Sequence, residues 1–177
     1  ARARLRTALV LAHETGQPLV AADALRELAN IANRQCIFEE GRAHYQEALA
    51  IYRSHADIRG EAATLNNLGT LNLDAGDVAT AQTDLRHALE LYRQLGDLRG
   101  AAKALNNLAI LAADHGDYGD ALATFDEALR LLGTMGNVRG QSAILNNRGT
   151  VLWAVGQYAQ AGAHYRQALR IYREIGN

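Results

Sequence analysis

The chain contains 177 residues with 18 basic and 19 acidic side chains, which gives a formal net charge of −1. This balance excludes a strong positive field of the kind that draws a protein to nucleic acid or to an anionic membrane surface. The composition, with 49% apolar and 21% charged residues, is typical of a folded protein, and no apolar run is long enough to span a membrane.

The single cysteine indicates a cellular location, and the preference for arginine over lysine indicates a type of genome. Cys36 has no second thiol with which to form an internal disulfide, which predicts a reducing, cytoplasmic location. Lys103 is the only lysine among the 18 basic residues, and with many alanines and glycines this bias indicates a GC-rich bacterial genome. The basic start of the chain is not followed by the pattern of a signal peptide.

The sequence repeats itself every 40 residues, and the motif Leu-Asn-Asn-Leu-Gly shows this most clearly. The motif stands at residues 65–69 and returns, with small changes, at residues 105–109 and 145–149. An Arg-Gly pair precedes each copy and an Ala-Leu pair follows it, both at the same spacing. A fixed period of this size predicts stacked supersecondary units that bury surface against their neighbours, rather than one closed globule.

The first 56 residues are predicted to contain half of one unit and a degenerate complete unit. Residues 1–17 resemble the second helix of a pair, because the Ala-Leu pair of the later units recurs at positions 8 and 9. Residues 18–56 form the first complete pair, in which Cys36 stands where the later units have a turn glycine. We expect Cys36 to be a small buried side chain rather than a nucleophile.

Three further units follow at residues 57–96, 97–136 and 137–177, and each is predicted to fold into two helices. In the first of them, Asp57 is predicted to be a helix N-cap, because its carboxylate can accept bonds from free backbone N–H groups. No polar capping helix follows the last unit, although solenoid ends normally need one. We therefore interpret the whole chain, residues 1–177, as a single solenoid domain from a larger protein.

Small side chains recur where the two helices of a pair must come close together. We expect these small residues to allow the approach, and larger side chains beside them to fill the remaining space. The predicted close contacts are at Gly69, Ala81, Ala121, Gly149 and Ala161, beside Leu85, Phe125 and Tyr165.

These spacings resemble the tetratricopeptide repeat (TPR), whose pattern is Trp-x2-Leu-Gly-x2-Tyr, then Ala-x3-Phe, then Ala. The unit at residues 57–96 matches it at Leu65, Leu68, Gly69, Ala81, Leu85 and Ala88. Leucine replaces tryptophan, and the period is longer than the usual one of about 34 residues. HEAT and armadillo repeats can also have this period, but the Leu-Gly and Ala-x3-aromatic spacings favour the TPR. The long variety is similar to repeats of kinesin light chains and of bacterial signalling ATPases and transcriptional regulators.

The resemblance implies an all-α fold. This would be an α-solenoid in which antiparallel helix pairs form a right-handed superhelix, with about four TPR units plus a leading half-repeat. It also implies that the first helix of each pair lines the concave side. Because TPR proteins act as interaction scaffolds, we expect a protein or peptide ligand, no nucleic-acid or membrane partner, and no enzymatic activity, cofactor or metal.

Side chains on the opposite face of each first helix from its leucines form the expected peptide-binding groove. An asparagine amide both donates and accepts hydrogen bonds, so a ladder of asparagines can pair with the backbone of an extended peptide. Arginines beside the ladder would favour carboxylate groups. In related TPR proteins, the asparagines matching Asn67, Asn107 and Asn147 hold bound peptides. The predicted groove residues are Arg59, Asn66, Asn67, Thr70, Arg99, Lys103, Asn106, Asn107, Arg139, Asn146, Asn147 and Trp153.

Each of these features also has a structural interpretation, which the sequence leaves open. The asparagines can bridge neighbouring helices without touching a ligand, and the arginines can form weak surface pairs with Asp57 or Asp97. Trp153 can anchor a ligand or fill the junction between units. The histidines at positions 44 and 164 are expected on solvated faces of second helices.

Three functional hypotheses follow from these patterns. The first is a scaffold that binds an extended peptide or partner segment in the concave groove. The second is a sensor or regulatory arm of a larger bacterial signalling ATPase or transcriptional regulator. The third is a self-association module whose uncapped ends form a homo-oligomer and bury Tyr165, Leu169 and Tyr172. The sequence contains no recognisable metal-binding or phosphate-binding motif, so an enzyme is the least favoured class.

Overall fold

A computed structural model describes residues 2–176, and these residues form nine helices connected by short turns. In chain order the helices are α1 (Arg2–Glu14), α2 (Pro18–Arg34), α3 (Phe38–Ser54), α4 (Ile58–Asp74), α5 (Val78–Gln94), α6 (Leu98–Asp114), α7 (Tyr118–Thr134), α8 (Val138–Ala154) and α9 (Tyr158–Glu174). The prediction of an all-α solenoid is confirmed, because α1 precedes four antiparallel helix pairs, α2–α3, α4–α5, α6–α7 and α8–α9.

The 40-residue period has a simple geometric origin. Helices α2 to α9 each contain 17 residues, and short turns such as residues 35–37 and 75–77 separate them. Two helices with their turns therefore make up one repeat. Both the helix length and the turn length are constant from the first complete pair onward, so the period does not drift along the chain.

The chain divides into two compact units, one ending at Leu95 and the other beginning at Gly96. The first unit contains α1 to α5, and in it consecutive helices pack together while α2 also contacts α4. In the second, which contains α6 to α9, consecutive helices pack together and α6 also contacts α8. Within each unit, the first helices of neighbouring pairs therefore lie side by side.

The turns depend on one residue with a left-handed backbone conformation. At the α4–α5 turn this residue is Gly76, which has a φ of +83°. The next residue, Asp77, donates its N–H to the carbonyl of Asn72 (2.8 Å), and Gly76 donates to that of Leu73 (3.0 Å). These two bonds satisfy carbonyls that the helix end would leave without partners. The Asp77 carboxylate then caps α5 by accepting from the N–H of Thr80 (3.3 Å).

The degenerate first repeat makes the same turn without glycine. Cys36 and Ala56 have φ values of +57° and +53°, in a region that residues with a Cβ rarely occupy. The expectation that Cys36 is buried is wrong: the residue is exposed, because it lies in the turn rather than on a packed helix face. The predicted N-cap at Asp57 is confirmed, since its carboxylate accepts from the N–H of Gly60 at 2.9 Å.

Small residues let the helices of a pair approach closely, as predicted. A Cβ on Gly69 of α4 would lie 2.7 Å from Cγ of Leu85 and 3.2 Å from the carbonyl oxygen of Ala81, both in α5. A Cβ on Gly149 of α8 would lie 2.8 Å from the ring of Tyr165 in α9. Because these distances leave no room for a methyl group, the packing of α4 on α5 and of α8 on α9 depends on glycine at these two positions.

We expect Gly69→Ala to lower the free energy of unfolding by about 1–2 kcal/mol, because overpacking outweighs the better helix propensity of alanine. Gly119→Ala is the matched control, since no atom lies within 4 Å of a Cβ built at this position in α7. The control should raise the free energy of unfolding by up to about 1 kcal/mol. Urea denaturation measures both values, and a stabilised Gly69→Ala variant would contradict the close contact.

Ala56→Gly and Cys36→Gly should each raise the free energy of unfolding by about 1 kcal/mol, because glycine adopts the left-handed conformation without strain from a Cβ. Ala50→Gly is the control at an exposed position within α3, and it should lower the free energy of unfolding by about 1 kcal/mol. Thermal denaturation compares the three variants. If all three lost stability equally, the two turns would carry no strain.

Candidate functional site

Two hollows lie along the seam between α6 and α8, which we call the α6–α8 seam. The first hollow has a volume of about 270 Å3, and most of its wall is apolar surface. Two of the predicted groove cations, Arg99 and Lys103, belong to this wall. The residues that line it include Arg99, Ala102, Lys103 and Asn106 of α6, Leu132 of α7, and Ala143 and Ile144 of α8.

The second hollow lies farther along the same two helices and has a volume of about 200 Å3. Ile110 and Asp114 of α6 line it on one side, and Asn147 and Thr150 of α8 line it on the other. Phe125 of α7, which is fully buried, also contributes to the lining. The wall therefore combines apolar surface with one amide, one hydroxyl and one carboxylate.

A hydrogen bond between two predicted groove asparagines joins the walls of the two hollows. Asn147 of α8 donates its Nδ2 to Oδ1 of Asn106 in α6, at 2.9 Å. The Asn106 amide donates in turn to Oδ1 of Asn107, at 3.4 Å. The structural interpretation of the asparagines therefore applies to this pair, because their bond bridges neighbouring first helices. An amide has two N–H donors and two acceptor lone pairs, so one such bond does not exhaust it.

The first unit contains a similar bridge, whose α2 partner lies one helical turn beyond the position that matches Asn106. Asn67 of α4 donates its Nδ2 to Oδ1 of Asn30 in α2, at 3.0 Å. The same Asn30 oxygen accepts from the hydroxyl of Tyr45 at 2.5 Å, and the Asn30 amide donates to Glu27 at 3.2 Å. Burial of Tyr45 raises the pKa of its phenol, which therefore stays a donor at neutral pH. This network fixes the orientation of Asn67 on the surface where α2 and α4 meet.

The remaining predicted groove residues lie in different environments. Asn66 is fully buried and donates its amide to the Asn67 side chain (3.4 Å), so a ligand does not reach it in this conformation. The hydroxyl of Thr70 donates to the carbonyl of Asn66 at 3.0 Å. Asn107 is half-buried. The exposed side chains are Arg59, Arg99, Lys103, Arg139 and Asn146.

Trp153 lies near the end of α8 with 60% of its surface exposed, so it does not fill a junction in the described part of the chain. Its ring lies edge to face with that of Tyr158, at a centroid distance of 6.0 Å. Tyr158, at the start of α9, is 64% exposed and was not among the predicted site residues. The two rings form an exposed aromatic surface, which leaves the ligand-anchor interpretation of Trp153 as a proposal.

A cluster of charged and polar side chains surrounds Arg148, which stands where the other repeats have leucine. Its guanidinium contacts both carboxylate oxygens of Asp126 in α7, at 2.8 and 3.3 Å. It also donates to Nε2 of His164 in α9, at 2.6 Å. The expectation that His164 lies on a solvated face is therefore wrong, because the residue is half-buried against Arg148. The change from leucine to arginine was the sequence signal for this cluster.

A second polar contact lies inside the α4–α5 pair. Asn72 of α4 is almost fully buried and donates its Nδ2 to the carboxylate of Asp84 in α5, at 2.8 Å. Burial raises the pKa of Asp84, although the bond from Asn72 acts in the opposite direction. No motif around Asp84 pointed to this pairing.

The α6–α8 seam combines apolar side chains with amides, cations, the Thr150 hydroxyl and the Asp114 carboxylate, which suit hydrogen bonding, charge pairing and apolar contact with a polypeptide. Among residues 2–176, no three His, Cys, Asp or Glu side chains are grouped closely enough to hold a metal ion. None of the helices described above combines the length and the apolar character that a membrane crossing requires.

Helices of equal length that are paired through repeated turns and pack against their neighbours define an α-helical repeat protein of the solenoid class. Models of the tetratricopeptide repeat match residues 60–133 and residues 142–175. The chain therefore belongs to the TPR family, as the sequence predicted. Repeats of this family mediate protein–protein interaction, which makes the expected class of partner a protein. No curated protein sequence matches the chain.

Two solved structures have a similar fold. BtubC (BKLC) from P. vanneervenii aligns with a TM-score of 0.82 and 23% identity, over 98% of this chain and 72% of that one. Aspartyl phosphate phosphatase F from Bacillus subtilis aligns with a TM-score of 0.83 and 13% identity, over 90% of this chain. The present chain spans only 42% of the phosphatase. At these identities the likeness shows a shared fold alone.

The Arg148 cluster predicts a pH-dependent contribution to stability. Burial and the neighbouring Arg148 hold the pKa of His164 below its ordinary value of 6.5, while Asp126 acts in the opposite direction. The unfolded chain therefore binds a proton more readily than the folded chain, so the contribution is full above about pH 6.5 and is lost as the pH falls through the folded-state pKa.

We expect the wild type to lose stability relative to His164→Gln as the pH falls below about 6.5. Glutamine is the appropriate replacement because it can still accept a bond from Arg148 but does not titrate. Chemical denaturation of both proteins at several pH values gives the difference in unfolding free energy. A difference that stays constant below this pH would contradict the lowered pKa of His164.

Proposed function

We propose that this chain is a protein-interaction module that binds an extended segment of a partner protein along the α6–α8 seam. The observation that supports this proposal is the pair of hollows on the two sides of the Asn106–Asn147 hydrogen bond. A hollow on each side of a polar bridge suits a peptide that inserts two side chains and places its backbone amides against the asparagines.

The spacing of the hollows determines the ligand pattern that we propose. Their lining residues are offset by about seven to ten positions along α6 and α8, which corresponds to about 10–15 Å at a rise of about 1.5 Å per residue. An extended peptide advances about 3.3 Å per residue. Side chains of an extended peptide alternate between its two faces, so the two inserted side chains would stand about four residues apart in the ligand.

Charge near the first hollow adds a preference for acidic ligands. Arg99 contributes to the wall of the hollow, and the exposed Arg139 immediately precedes Gly140, which is also part of the wall. A guanidinium can bind a carboxylate through two parallel hydrogen bonds. An acidic residue beside the apolar side chain that enters the first hollow would therefore strengthen binding.

Only some of the predicted groove asparagines belong to the proposed binding site. Asn106 and Asn147 stand at the centre of the site, and Asn107 and Asn146 flank them. Since Asn106 and Asn147 already bond to each other, each contributes only its remaining hydrogen-bonding capacity, worth about 0.5–1.5 kcal/mol per bond. Arg59, Asn67 and Thr70 supply a corresponding set on the first unit, whereas the buried Asn66 is left out.

We also propose that the module is not itself catalytic. The supporting observation is that the α6–α8 seam is lined by apolar side chains, amides, cations and the Thr150 hydroxyl, with Asp114 as its carboxylate. The phosphatase from Bacillus subtilis resembles this chain in fold at only 13% identity, so its activity is not transferred to this protein.

The test of the proposed site begins with a phage-displayed library of random dodecapeptides, selected against the 177-residue chain. Ala143→Trp should weaken the selected peptides by about tenfold or more, because the indole occupies the first hollow. Ala143 is exposed, so its replacement should leave the melting temperature unchanged. Ala123→Trp is the matched control at an exposed position in α7, and it should bind the peptides as the wild type does.

The outcome has a clear interpretation. Selected peptides that carry two apolar residues about four positions apart, and that lose affinity for Ala143→Trp alone, support the proposal. Peptides that bind Ala143→Trp as tightly as the wild type would place the interaction elsewhere on the molecule. Equal weakening by Ala123→Trp would indicate a general effect of an added indole.

A further inference from the structure

One position of the repeat differs between the α6–α8 seam and the line where α2 and α4 meet, which we call the α2–α4 seam. In the four complete repeats, this position holds tyrosine at residues 52, 92 and 172 and leucine at residue 132. Tyr52 and Leu132 are both buried, with 1% and 3% of their surface exposed. Because leucine has no aromatic ring, the two seams differ by the volume of one ring.

The ring of Tyr52 fills this volume in the first unit. It belongs to a buried cluster with Ala22 of α2, and a Cβ on Gly60 of α4 would overlap it. Its hydroxyl donates to Oδ1 of Asp23 at 2.7 Å, and the Arg26 guanidinium lies 5.8 Å from the ring centroid. A side chain of the protein itself therefore closes the α2–α4 seam at this point.

The residues around the Tyr52 ring correspond, two repeats later, to residues that line the first hollow of the α6–α8 seam. These lining residues are Ala102, Lys103, Asn106, Leu132 and Gly140. The hollow therefore lies where the repeat elsewhere places an aromatic ring. Its volume of about 270 Å3 exceeds the roughly 150 Å3 of an apolar cavity that can hold benzene.

We propose that Leu132 determines the specificity of the α6–α8 seam, because it leaves a space into which the ligand inserts the phenyl ring of a phenylalanine. Leu132 acts at the site proposed above, so this assignment rests on the proposed function and names the side chain that the first hollow receives. The α2–α4 seam does not receive a ring at the corresponding place, because Tyr52 occupies it.

The direction of entry favours phenylalanine over tyrosine. The Tyr52 ring extends from α3, and its hydroxyl meets Asp23, whose side chain is 61% exposed at the surface of the seam. A ligand side chain enters from that surface, so the tip of its ring would meet the buried Leu132 and Ala102. A phenol hydroxyl placed against these apolar side chains would lose its hydrogen bonds to water, which is unfavourable.

The probe for this site is N-acetylphenylalaninamide, and NMR of the isotope-labelled 177-residue chain measures its binding. We expect saturable shifts of the backbone amide resonances of Lys103, Gly140 and Ala143. The affinity should be about tenfold higher than that of N-acetylalaninamide, because the phenyl ring leaves water. N-acetyltyrosinamide should bind at least about threefold more weakly than the phenylalanine probe.

Leu132→Tyr should abolish these shifts, because the new ring fills the hollow as Tyr52 fills the equivalent space. Gly140 gives this ring the room that Gly60 gives Tyr52. Leu132→Ile is the matched control, since it conserves volume and leaves the hollow open, and it should bind the probe as the wild type does.

Ala143→Trp tests the same site if Leu132→Tyr does not fold. Its indole enters the hollow from an exposed position, so the fold should be retained and the shifts should also be lost. The proposal would be overturned if the wild type showed no shifts, or if the folded Leu132→Tyr variant bound the probe as tightly as the wild type.

The peptides selected from the random library distinguish this assignment from the proposed function. Peptides that lose affinity for Ala143→Trp but contain no aromatic residue would overturn the phenylalanine assignment and leave the proposed function standing. Peptides that bind Ala143→Trp normally, together with a probe whose binding depends on Leu132, would contradict the proposed function and support the phenylalanine site.

Discussion

The left-handed residue in each three-residue turn is the constraint on which the rest of the structure depends. It reverses the chain after every 17-residue helix, and the hydrogen bonds that it permits satisfy the carbonyls at the helix end. Helix length, the antiparallel pairing and the 40-residue period all follow. Cys36 and Ala56 adopt this conformation without being glycine, because packing of the flanking helices imposes the turn on them.

The binding surface is a consequence of the same geometry. Glycine and alanine within each pair bring its two helices together, and in each unit the first helices then lie side by side. Side chains along that line meet across the two helices, so Asn147 bonds to Asn106 and Asn67 bonds to Asn30. On either side of the Asn106–Asn147 bridge the helix surfaces do not fill the space, and the hollows of the α6–α8 seam remain.

The repeat also tolerates polar residues at positions where its pattern predicts apolar ones, provided that a neighbouring helix supplies a partner. Arg148 stands at a leucine position and contacts Asp126 and His164 on the adjoining helices. Asn72 lies within an apolar stripe and bonds to Asp84. Since burying an unpaired polar group is unfavourable, these substitutions depend on their partners. Each of these polar contacts therefore occurs in one repeat, while the fold of the repeat stays the same.

The sequence by itself determined the all-α repeat, its period, its turns and its helix caps, because these follow from short-range patterns that recur along the chain. Only the tertiary structure decided the burial and the hydrogen-bond partners of each predicted groove residue. Asn66 is buried, Asn67 and Asn147 bridge helices, and Trp153 is exposed, although all four occupy positions chosen by the same face argument. Helical spacing defines a face, but the packing of residues roughly one repeat apart determines which side chains on it meet each other and which meet solvent.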